Sequence, residues 1–279
     1  MSGRQMKALS PAQLDRFREL GYVFPCHAMS SDRARGLRRR LEAFEKSDLA
    51  AQYAGREHEL YRFKAHLLFT WVDEIVHNER SLDVVEDLIG PDILVWTVGV
   101  FVKEPHSDYA IPWHQDSVYT GVDRPDQLVR GWHALTSSRP ENGTLRFSPR
   151  SHRLGDLRHI SGSKSDGLTL REARADHNVD EEQADFVNLQ PGEAAFFNCR
   201  TLHASGPNRT DERRINVVVT YMPTCMTPAS NAESAMLVRG VDTYGRWKLE
   251  PRPHSDMDAA TIAAHKEARA ARLETYFRD

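Results

Sequence analysis

The chain has 279 residues, a nearly neutral charge and three cysteines, and these properties exclude several classes of protein. Lys and Arg total 37 against 40 Asp and Glu, a net charge of −3, so no basic field predicts nucleic-acid binding. No run is long and apolar enough to cross a membrane, and the N-terminus lacks the apolar region of a signal peptide. The cysteines have no paired spacing. We therefore expect a single domain, residues 1–279, in the reducing cytoplasm, and its oligomeric state stays open.

Helical signals dominate residues 9–90. The stretch Ser10-Pro11-Ala12-Gln13 predicts a helix start, with Ser as the N-cap, Pro at the first position and Gln three residues after the cap. Ser30-Ser31-Asp32 predicts the start of a second helix, and Ser81 to Leu88 a third that ends before Gly90-Pro91. A short strand, Tyr22 to Phe24, separates the first two helices. Residues 46–64 are polar and predict no clear element.

Short strand-like segments replace the helices between residues 92 and 223. Strands at this density, with turns such as Glu141-Asn142-Gly143, predict an antiparallel sandwich or barrel. The insert from Gly155 to Glu182 is charged and long for a connection, which predicts a functional or mobile segment. A further helix is predicted at 256–277, so the fold class is mostly β with flanking helices. The predicted strands are 93–102, 127–135, 144–147, 186–189, 194–198 and 215–221.

Three H-x-D triplets occur, so the triplet alone does not identify a metal site. His106-Ser107-Asp108 lies in a predicted loop, and His254-Ser255-Asp256 follows every strand-like segment, which favours surface positions. His114-Gln115-Asp116 lies at a strand-like edge, and His203 follows further along the chain. Two histidines and one carboxylate on one face are the usual ligands of non-haem Fe(II), with positions left for O2 and a co-substrate. We predict that His114, Asp116 and His203 bind the metal and form the catalytic centre.

Two adjacent arginines downstream are candidates for binding the carboxylate of a co-substrate. Arginine can hold a carboxylate by a two-pronged hydrogen bond. Neighbours on a strand face opposite ways, so Arg214 shares its face with Asn216 and Val218, while Arg213 shares its face with Ile215. A polar face belongs at the mouth of a barrel, which favours Arg214, with Arg213 as the rival.

The order of these motifs resembles the phytanoyl-CoA hydroxylase-like family of Fe(II)- and 2-oxoglutarate-dependent dioxygenases. The resemblance extends from Leu9 to about Pro223. It implies a double-stranded β-helix, a jelly roll whose open mouth carries Fe(II), with 2-oxoglutarate and O2 as co-substrates. The segments that carry it are Gly21-Tyr22-Val23, Leu88-Ile89-Gly90-Pro91, His114-Gln115-Asp116, Glu141-Asn142-Gly143-Thr144-Leu145, His203 and Arg214.

The resemblance also implies roles for individual residues. Because halogenating relatives carry a small residue in place of Asp116, its presence favours hydroxylation. One departure is Pro149-Arg150-Ser151-His152, where the family usually has Pro-Gly-Ser-His, and this leaves the local turn in question. The implied ligands are His114, Asp116 and His203 for iron, Arg214 and Ser205 for the distal carboxylate of 2-oxoglutarate, and Trp132 as an aromatic residue against the co-substrate.

Aromatic and basic residues near the predicted mouth suggest a substrate that carries both an amine and an anion. Tyr109, Trp113 and Tyr119 flank the metal triplet, where they either cap the barrel or form a wall for an ammonium group. Lys103 and Arg146 lie on segments that we expect to approach the same mouth. His133, His152 and His159 are interpreted as packing residues.

Arg146 is the expected anion receptor. Alternate strand residues face opposite sides, so Leu145 and Phe147 point away from Arg146. Arg146 faces the mouth if these two apolar residues pack beneath the helices. The alternative is a solvated basic edge that includes the arginines at 150 and 153.

The leading functional hypothesis is an Fe(II)- and 2-oxoglutarate-dependent hydroxylase of a small molecule. A zwitterion such as an aminoalkylphosphonate or a quaternary amine suits the mixture of arginines and aromatic residues. A second hypothesis is a tailoring oxygenase that acts on a larger natural product. A third is a non-catalytic jelly-roll binding protein, against which the intact ligand set and Arg214 speak.

Overall fold

The computed structural model describes residues 6–56, 60–161 and 173–276, the last four of them by backbone alone. Helices flank a mostly β core, which confirms the predicted fold class. Within these ranges no helix combines the length and the hydropathy needed to span a bilayer.

The helices are α1 (Pro11–Leu20), α2 (Ser31–Glu45), α3 (Asp48–Ala51), α4 (Thr70–Val76), α5 (Glu79–Ile89) and α6 (Ala259–Tyr276). The strands are β1 (Tyr22–His27), β2 (Ile93–Lys103), β3 (Ile111–His114), β4 (Val129–Ala134), β5 (Leu145–Phe147), β6 (His159–Ser161), β7 (Ala173–Ala175), β8 (Asp185–Phe186), β9 (Glu193–Asn198), β10 (His203–Ser205), β11 (Arg214–Pro223), β12 (Ser234–Arg239) and β13 (Lys248–Leu249).

Two facing sheets form a jelly roll, which confirms the predicted double-stranded β-helix. The large sheet has the order β1-β9-β4-β11-β2-β12-β13 and is antiparallel up to the last, parallel pair. The small sheet has the order β3-β10-β5-β8. The described parts of the insert form a separate β6–β7 hairpin, and residues 162–172 lie outside the described residues.

The N-terminal helices begin where the sequence supplies capping groups. The Gln13 backbone N–H donates to the Ser10 hydroxyl, and the Ser10 backbone N–H donates to the Gln13 side chain, which is the predicted capping box. The Ser30 hydroxyl accepts from the Arg33 backbone N–H at the start of α2. Gly21 ends α1 with φ 93°, a left-handed conformation that glycine adopts without strain. Because these signals are local, the predicted starts of α1 and α2 agree with the structure, whereas α5 begins at Glu79, two residues before the predicted Ser81.

Alternation along β11 separates two layers of the core. Ile215, Val217 and Val219 face the helices, in a cluster that also contains Trp71. Val218 points the other way, into the space between the two sheets. This inner space also holds the functional side chains, because every second residue of β4, β10 and β11 points into it. The apolar residues around Val218 include Trp132, Leu145, Phe147 and Phe197.

A buried ion pair joins the C-terminal segment to the chain before α4. Lys64 Nζ lies 2.6 Å from Glu250 Oε1, and both side chains are 2% exposed. His66 Nε2 lies 2.9 Å from Glu250 Oε2, and the Ser234 hydroxyl donates to Oε1 at 2.6 Å. Burial raises the pKa of Glu250, but Lys64 and His66 outweigh it and lower that pKa to about 2. The carboxylate is therefore ionised and holds the segment after β12 against the core.

Larger parts of the fold also differ from the sequence expectations. The large sheet continues beyond residue 223, where the jelly-roll core was expected to end, because β12 pairs with β2 and buries Met236. Helix α4 was not among the predicted helices. It is nevertheless part of the core, because Val72 and Ile75 are fully buried. The C-terminal helix begins at Ala259 rather than 256, and residue 277 of its predicted span lies outside the described chain.

Candidate active site

The three predicted metal ligands meet in the space between the sheets. Strands β3 and β10 are neighbours, and their register places His114 opposite His203. Asp116 begins a short 3₁₀ helix that follows β3. His114 Nε2 lies 3.7 Å from Asp116 Oδ1, and His203 Nε2 lies 3.4 Å from Asp116 Oδ2. One ligand atom from each residue lies within 4.8 Å of the other two, so a single metal ion could contact all three.

Backbone carbonyl groups orient both imidazoles. His114 Nδ1 lies 2.9 Å from the Pro112 carbonyl oxygen, and His203 Nδ1 lies 2.9 Å from that of Thr201. These contacts favour a proton on Nδ1 and leave Nε2 as the ligand atom. Burial, and then the neighbouring His114, lower the pKa of His203 to about 3, so its imidazole is neutral near pH 7. A neutral imidazole is the form that binds metal ions.

The Asp116 carboxylate is paired with Arg130, a residue that carries no motif in the sequence. Arg130 Nε lies 3.2 Å from Asp116 Oδ2. Burial raises the pKa of Asp116, but Arg130 and the two histidines lower it below the ordinary value of an aspartate. The buried Oδ2 has no hydrogen-bond donor within the described chain, so it keeps a lone pair for a ligand. Strand alternation is the sequence feature that could have identified Arg130. Arg130 lies two residues before Trp132, so both side chains point to the same face of β4.

The other two H-x-D triplets have structural roles elsewhere. His106 Nε2 lies in an exposed hydrogen-bond contact with Asp211 Oδ1 at 2.8 Å. The Asp256 carboxylate accepts from the Thr70 backbone N–H at 2.7 Å, at the start of α4. Over the residues that the structure describes, one cluster of metal-ligating side chains is found, and it consists of His114, Asp116 and His203.

Gln115, the middle residue of the triplet, ties the metal motif to the insert. Its side-chain Nε2 donates to the carbonyl oxygens of Gly155 at 2.9 Å and Arg200 at 2.7 Å, and its Oε1 accepts from the Leu157 backbone N–H. The Gln115 backbone N–H donates to His159 Nε2 at 2.9 Å. His159 is therefore a satisfied packing residue whose contact fixes the chain between two ligands. Sequence alone predicted no partner for Gln115 or His159, because the contacts between Gln115 and the insert join residues that are 40 to 44 positions apart in the chain.

Arg214 is buried without a protein partner for two of its nitrogens. The side chain is 1% exposed, and Nε and Nη1 lack hydrogen bonds to any described residue. The guanidinium carbon lies 5.2 Å from the centre of the Trp132 ring. Burial, and then the Arg62 charge, lower the pKa of Arg214 to about 9. Because leaving buried donors unpaired costs free energy, this geometry fits a carboxylate ligand that would accept both hydrogen bonds.

Lys103 and Ser205 lie beside the Arg214 guanidinium. Strands β2 and β11 place Lys103 opposite Arg214. Lys103 Nζ donates to Ser205 Oγ at 2.9 Å and to the Gly206 carbonyl oxygen. Burial, followed by the Arg214 and Arg62 charges, lowers the pKa of Lys103 to about 7. Two basic side chains therefore lie beside Ser205, and the structure places Lys103 next to Arg214.

Arg213 points to the opposite side of the large sheet. Its guanidinium donates to both oxygens of Glu45 at 2.8 and 2.9 Å. It also donates to Glu104 at 2.8 to 3.1 Å. Hydrogen bonds to Glu45 and then to Glu104 raise the pKa of Arg213. With its donors occupied, Arg213 has no capacity left for a co-substrate.

Trp113 and Arg146 lie on the outer face of the small sheet. Leu145 and Phe147 pack between the two sheets, not beneath the helices. Arg146 therefore points away from the metal ligands, so the expected orientation is wrong. Its Nη1 donates to Glu181 Oε2 at 2.5 Å, and the Trp113 indole N–H donates to Glu181 Oε1 at 3.1 Å. The three side chains stabilise the surface next to the insert.

Tyr109 and Tyr119 occupy separate positions. Tyr109 is 39% exposed, and its ring centre lies 5.9 Å from Lys103 Nζ. The Tyr119 ring centre lies 6.2 Å from that of His159, and the Tyr119 carbonyl oxygen accepts from Arg272. Trp113 lies on the outer face of the small sheet, where its ring centre is 5.0 Å from the Arg146 guanidinium carbon. The three predicted aromatic residues therefore have different neighbours rather than one shared wall.

The departure from the Pro-Gly-Ser-His pattern is visible in the backbone. Arg150 has φ 65° and ψ 0°, the left-handed region. This conformation costs a non-glycine residue roughly 1–2 kcal/mol, whereas glycine adopts it readily. The Arg150 guanidinium forms an ion pair with Glu19 at 2.5 Å. The turn thus keeps the shape that suits glycine even though arginine occupies it.

The fold and the ligand geometry together define a class of protein. Two imidazoles and one carboxylate project into a jelly roll, which is the ligand set of mononuclear non-haem iron oxygenases, whose remaining metal positions are left for co-substrates. The orphaned Asp116 Oδ2 fits a metal ion, and the orphaned donors of Arg214 fit a carboxylate.

Comparison with known proteins identifies the family within this class. The Phytanoyl-CoA dioxygenase (PhyH) family model matches residues 11–216, so the chain belongs to this family. A probable alpha-ketoglutarate-dependent hypophosphite dioxygenase of Stutzerimonas stutzeri is 25% identical over 198 residues, 65% of this chain and 68% of the relative. A methylphosphonate hydroxylase of Gimesia maris is 25% identical over 233 residues, 76% of this chain and 80% of the relative. The structure of the non-haem monooxygenase ThoJ is similar with a TM-score of 0.85 at 34% identity, covering 94% of this chain and 96% of ThoJ.

The family assignment confirms the predicted enzyme class. The protein is an Fe(II)- and 2-oxoglutarate-dependent dioxygenase, and its cofactors are those expected from the sequence. The relatives named above act on small molecules, as their names state.

Proposed function

We propose that the protein hydroxylates a small zwitterionic molecule, with Fe(II) on His114, Asp116 and His203 and 2-oxoglutarate on Arg214. One observation carries the proposal: the ligand cluster and a buried guanidinium with orphan donors share the inner space of the jelly roll. A structural arginine would be neutralised by a protein carboxylate, whereas this one has none within hydrogen-bond distance in the described residues.

Each residue of the proposed site has a task that follows from its surroundings. The two Nε2 atoms and the Asp116 carboxylate hold the metal on one side. Arg214 and Ser205 would bind the distal carboxylate of 2-oxoglutarate, and Trp132, whose ring centre lies 5.2 Å from the Arg214 guanidinium carbon, would contact the co-substrate. Once bound, Fe(II) and 2-oxoglutarate activate O2 and supply the oxidising power for hydroxylation. The protein's share is to position these groups and to bury them from water.

The ligand set also favours hydroxylation over other outcomes. Asp116 supplies a negatively charged ligand and leaves no ligand position of the protein vacant for a halide. The Gln115 contacts to the insert fix this part of the chain, so the carboxylate stays in place. We therefore propose oxygen insertion into a C–H bond of the substrate.

Two observations support a small, charged substrate. The named relatives act on hypophosphite and methylphosphonate, both small phosphorus oxyanions. The described part of the inner space carries the basic side chains Lys103, Arg130 and Arg214, which suit the anionic group of such a substrate.

Succinate release tests the proposed reaction. Purified protein is mixed with Fe(II), 2-oxoglutarate and O2, alone and with each of a set of candidate substrates. We expect small aminophosphonates or betaine-like compounds to gain the mass of one oxygen before fatty acyl thioesters do. If acyl thioesters or a large hydrophobic metabolite alone gain oxygen, the zwitterion proposal is wrong. If no 2-oxoglutarate is consumed under any condition, the oxygenase assignment of these residues is wrong.

A further inference from the structure

We propose that Arg130 binds the anionic group of the substrate, a phosphonate or a carboxylate, next to the metal ligands. This inference rests on the proposed function and specifies its substrate site. It replaces Arg146, which the sequence favoured and which lies on the outer surface, paired with Glu181.

The strand registers place Arg130 and Arg214 at different depths of the same inner surface. Arg130 pairs with Thr220 of β11, whereas Arg214 begins that strand. Six residues along a strand span about 20 Å. Between them, Trp132 of β4 pairs with Val218. Arg214 and Arg130 therefore occupy opposite ends of this inner surface, and Arg130 is the arginine that lies against a metal ligand, Asp116.

The hydrogen bonds of Arg130 leave donor capacity for a ligand. Nη1 donates to Thr220 Oγ1 at 3.2 Å, and Nε faces Asp116 Oδ2 at 3.2 Å without a well-aligned hydrogen bond. No described residue accepts from Nη2. The Arg130 side chain is 15% exposed, close to the 14% of His114 and the 13% of Asp116. A small ligand that reaches the metal ligands can therefore also reach this guanidinium.

The charges of the loaded site favour an anion at Arg130. In the structure, Asp116 balances the Arg130 charge, but a divalent cation on Asp116 would compete for the same carboxylate. The metal and Asp116 together carry one positive charge, Arg130 and Arg214 add two, and 2-oxoglutarate removes two. The sum is positive even when Lys103 is neutral, so one further negative charge would neutralise the site. An amine without an anion would raise the charge instead.

A carboxylate at this position could come from the substrate or from the metal-proximal end of 2-oxoglutarate. Both would form the same charge-assisted hydrogen bonds with the guanidinium. We assign Arg130 to the substrate, and the experiment below separates the two sources by measuring them independently.

The test uses Ni(II)-loaded protein, which allows binding to be measured without turnover. The affinity of 2-oxoglutarate is measured first by calorimetry. Methylphosphonate and aminomethylphosphonate are then titrated into the Ni(II)- and 2-oxoglutarate-loaded protein, with binding followed by phosphorus NMR line width. The variants are Arg130→Met, Arg130→Lys and the matched outer-face control Arg146→Met. Nickel content and thermal unfolding are recorded for each, so that a folding or metal defect is recognised.

We expect Arg130→Met to bind the phosphonates roughly tenfold to a hundredfold more weakly, as for loss of a hydrogen bond to a charged group. Arg130→Lys should recover part of the affinity, and Arg146→Met should bind like the wild type. The inference is overturned if Arg130→Met keeps full phosphonate affinity at equal nickel content, or if wild-type protein binds neither phosphonate. It is also overturned if Arg130→Met loses 2-oxoglutarate by the same factor, since the anion would then be the co-substrate's own. If phosphonate binding fails either of the first two tests while nickel and 2-oxoglutarate still bind normally, only the role of Arg130 is refuted. The proposed metal and co-substrate sites are then unaffected.

Discussion

Two adjacent arginines on opposite faces of the large sheet differ in whether the protein supplies their hydrogen-bond acceptors. On the outer face, the Arg213 guanidinium is saturated by Glu45 and Glu104, and its pKa is raised. On the inner face, Arg214 is 1% exposed, two of its nitrogens lack a partner in the described chain, and its pKa falls to about 9. The outer arginine stabilises the fold, whereas the inner one is stabilised best by a ligand that the protein does not supply.

The small sheet repeats the contrast. Outside it, Arg146 is neutralised by Glu181, while on the inside the carboxylate of Asp116 faces two imidazoles and only partly balances Arg130. Residue type alone does not separate the two roles. A structural charged residue is neutralised by the protein itself, whereas a ligand-binding one is not. Single substitutions on the two faces test this difference.

The largest expected effect comes from removing the inner carboxylate. Asp116→Ala should reduce metal occupancy and 2-oxoglutarate turnover by more than about a hundredfold, because even loss of a residue that only orients a metal ligand costs 10–100-fold. Metal content by mass spectrometry and succinate release measure it. The outer-face control Glu181→Ala should keep both. Full activity of Asp116→Ala would show that this carboxylate is not a ligand.

The arginine pair gives the next largest effect. Arg214→Ala should weaken 2-oxoglutarate binding by about 2–5 kcal/mol, the cost of truncating a buried, charged pair. Arg213→Ala should leave that affinity unchanged and lower the free energy of unfolding by about 1 kcal/mol, since its partners are partly exposed. Calorimetric titration of 2-oxoglutarate and denaturant unfolding measure the two quantities. The reverse ranking would mean that the strand register is wrong by one residue.

A pH dependence should reveal the contribution of the Lys103 ammonium group beside Arg214. Because the pKa of Lys103 is lowered to about 7 by burial and by Arg214 and Arg62, the ammonium form is lost as the pH rises above about 7. An anion binds the protonated form better, so 2-oxoglutarate affinity should fall above that pH, by at most about tenfold per pH unit for one proton. Lys103→Met should bind more weakly at pH 6 and lack this slope between pH 6 and 9. An unchanged slope in the variant would assign the proton to another group.

The smallest expected effect concerns the turn at Arg150. Arg150→Gly removes the strain of a left-handed conformation, which costs a non-glycine residue about 1 kcal/mol. The same substitution also removes an exposed ion pair with Glu19. We expect a gain in unfolding free energy of at most about 1 kcal/mol, measured by denaturant unfolding. Glu19→Gln isolates the ion pair, and Arg150→Ala, which keeps the strain and loses the pair, should be less stable than the wild type.

The parts that sequence predicted well depend on short stretches of chain. The capping box of α1 and the left-handed Gly21 involve residues close in sequence, so their geometry follows from local chemistry. The H-x-D triplet could be chosen among three because strand-like residues surround one of them. The face preference of Arg214 followed from alternation along a single strand.

The parts that sequence missed depend on which surfaces meet. Parity correctly separated Arg146 from Phe147, but it could not tell which side of β5 faces the other sheet. Arg130 carried no motif, and its importance appears only when β4 pairs with β11 and the H-x-D segment folds over both. Likewise, no local signal connects Gln115 to Gly155 or Leu157.

The buried Lys64–Glu250 pair has a practical consequence for anyone who shortens the chain. The family match ends at residue 216, which makes the C-terminal part look dispensable. Cutting before Glu250 would leave the Lys64 ammonium group without its counter-charge and the fully buried His66 imidazole without its hydrogen-bond partner, and removing one partner of a buried pair costs roughly 3–5 kcal/mol. Loss of so much stability would unfold many proteins of this size. Trimmed versions made for crystallisation or fusion should therefore keep the chain through α6.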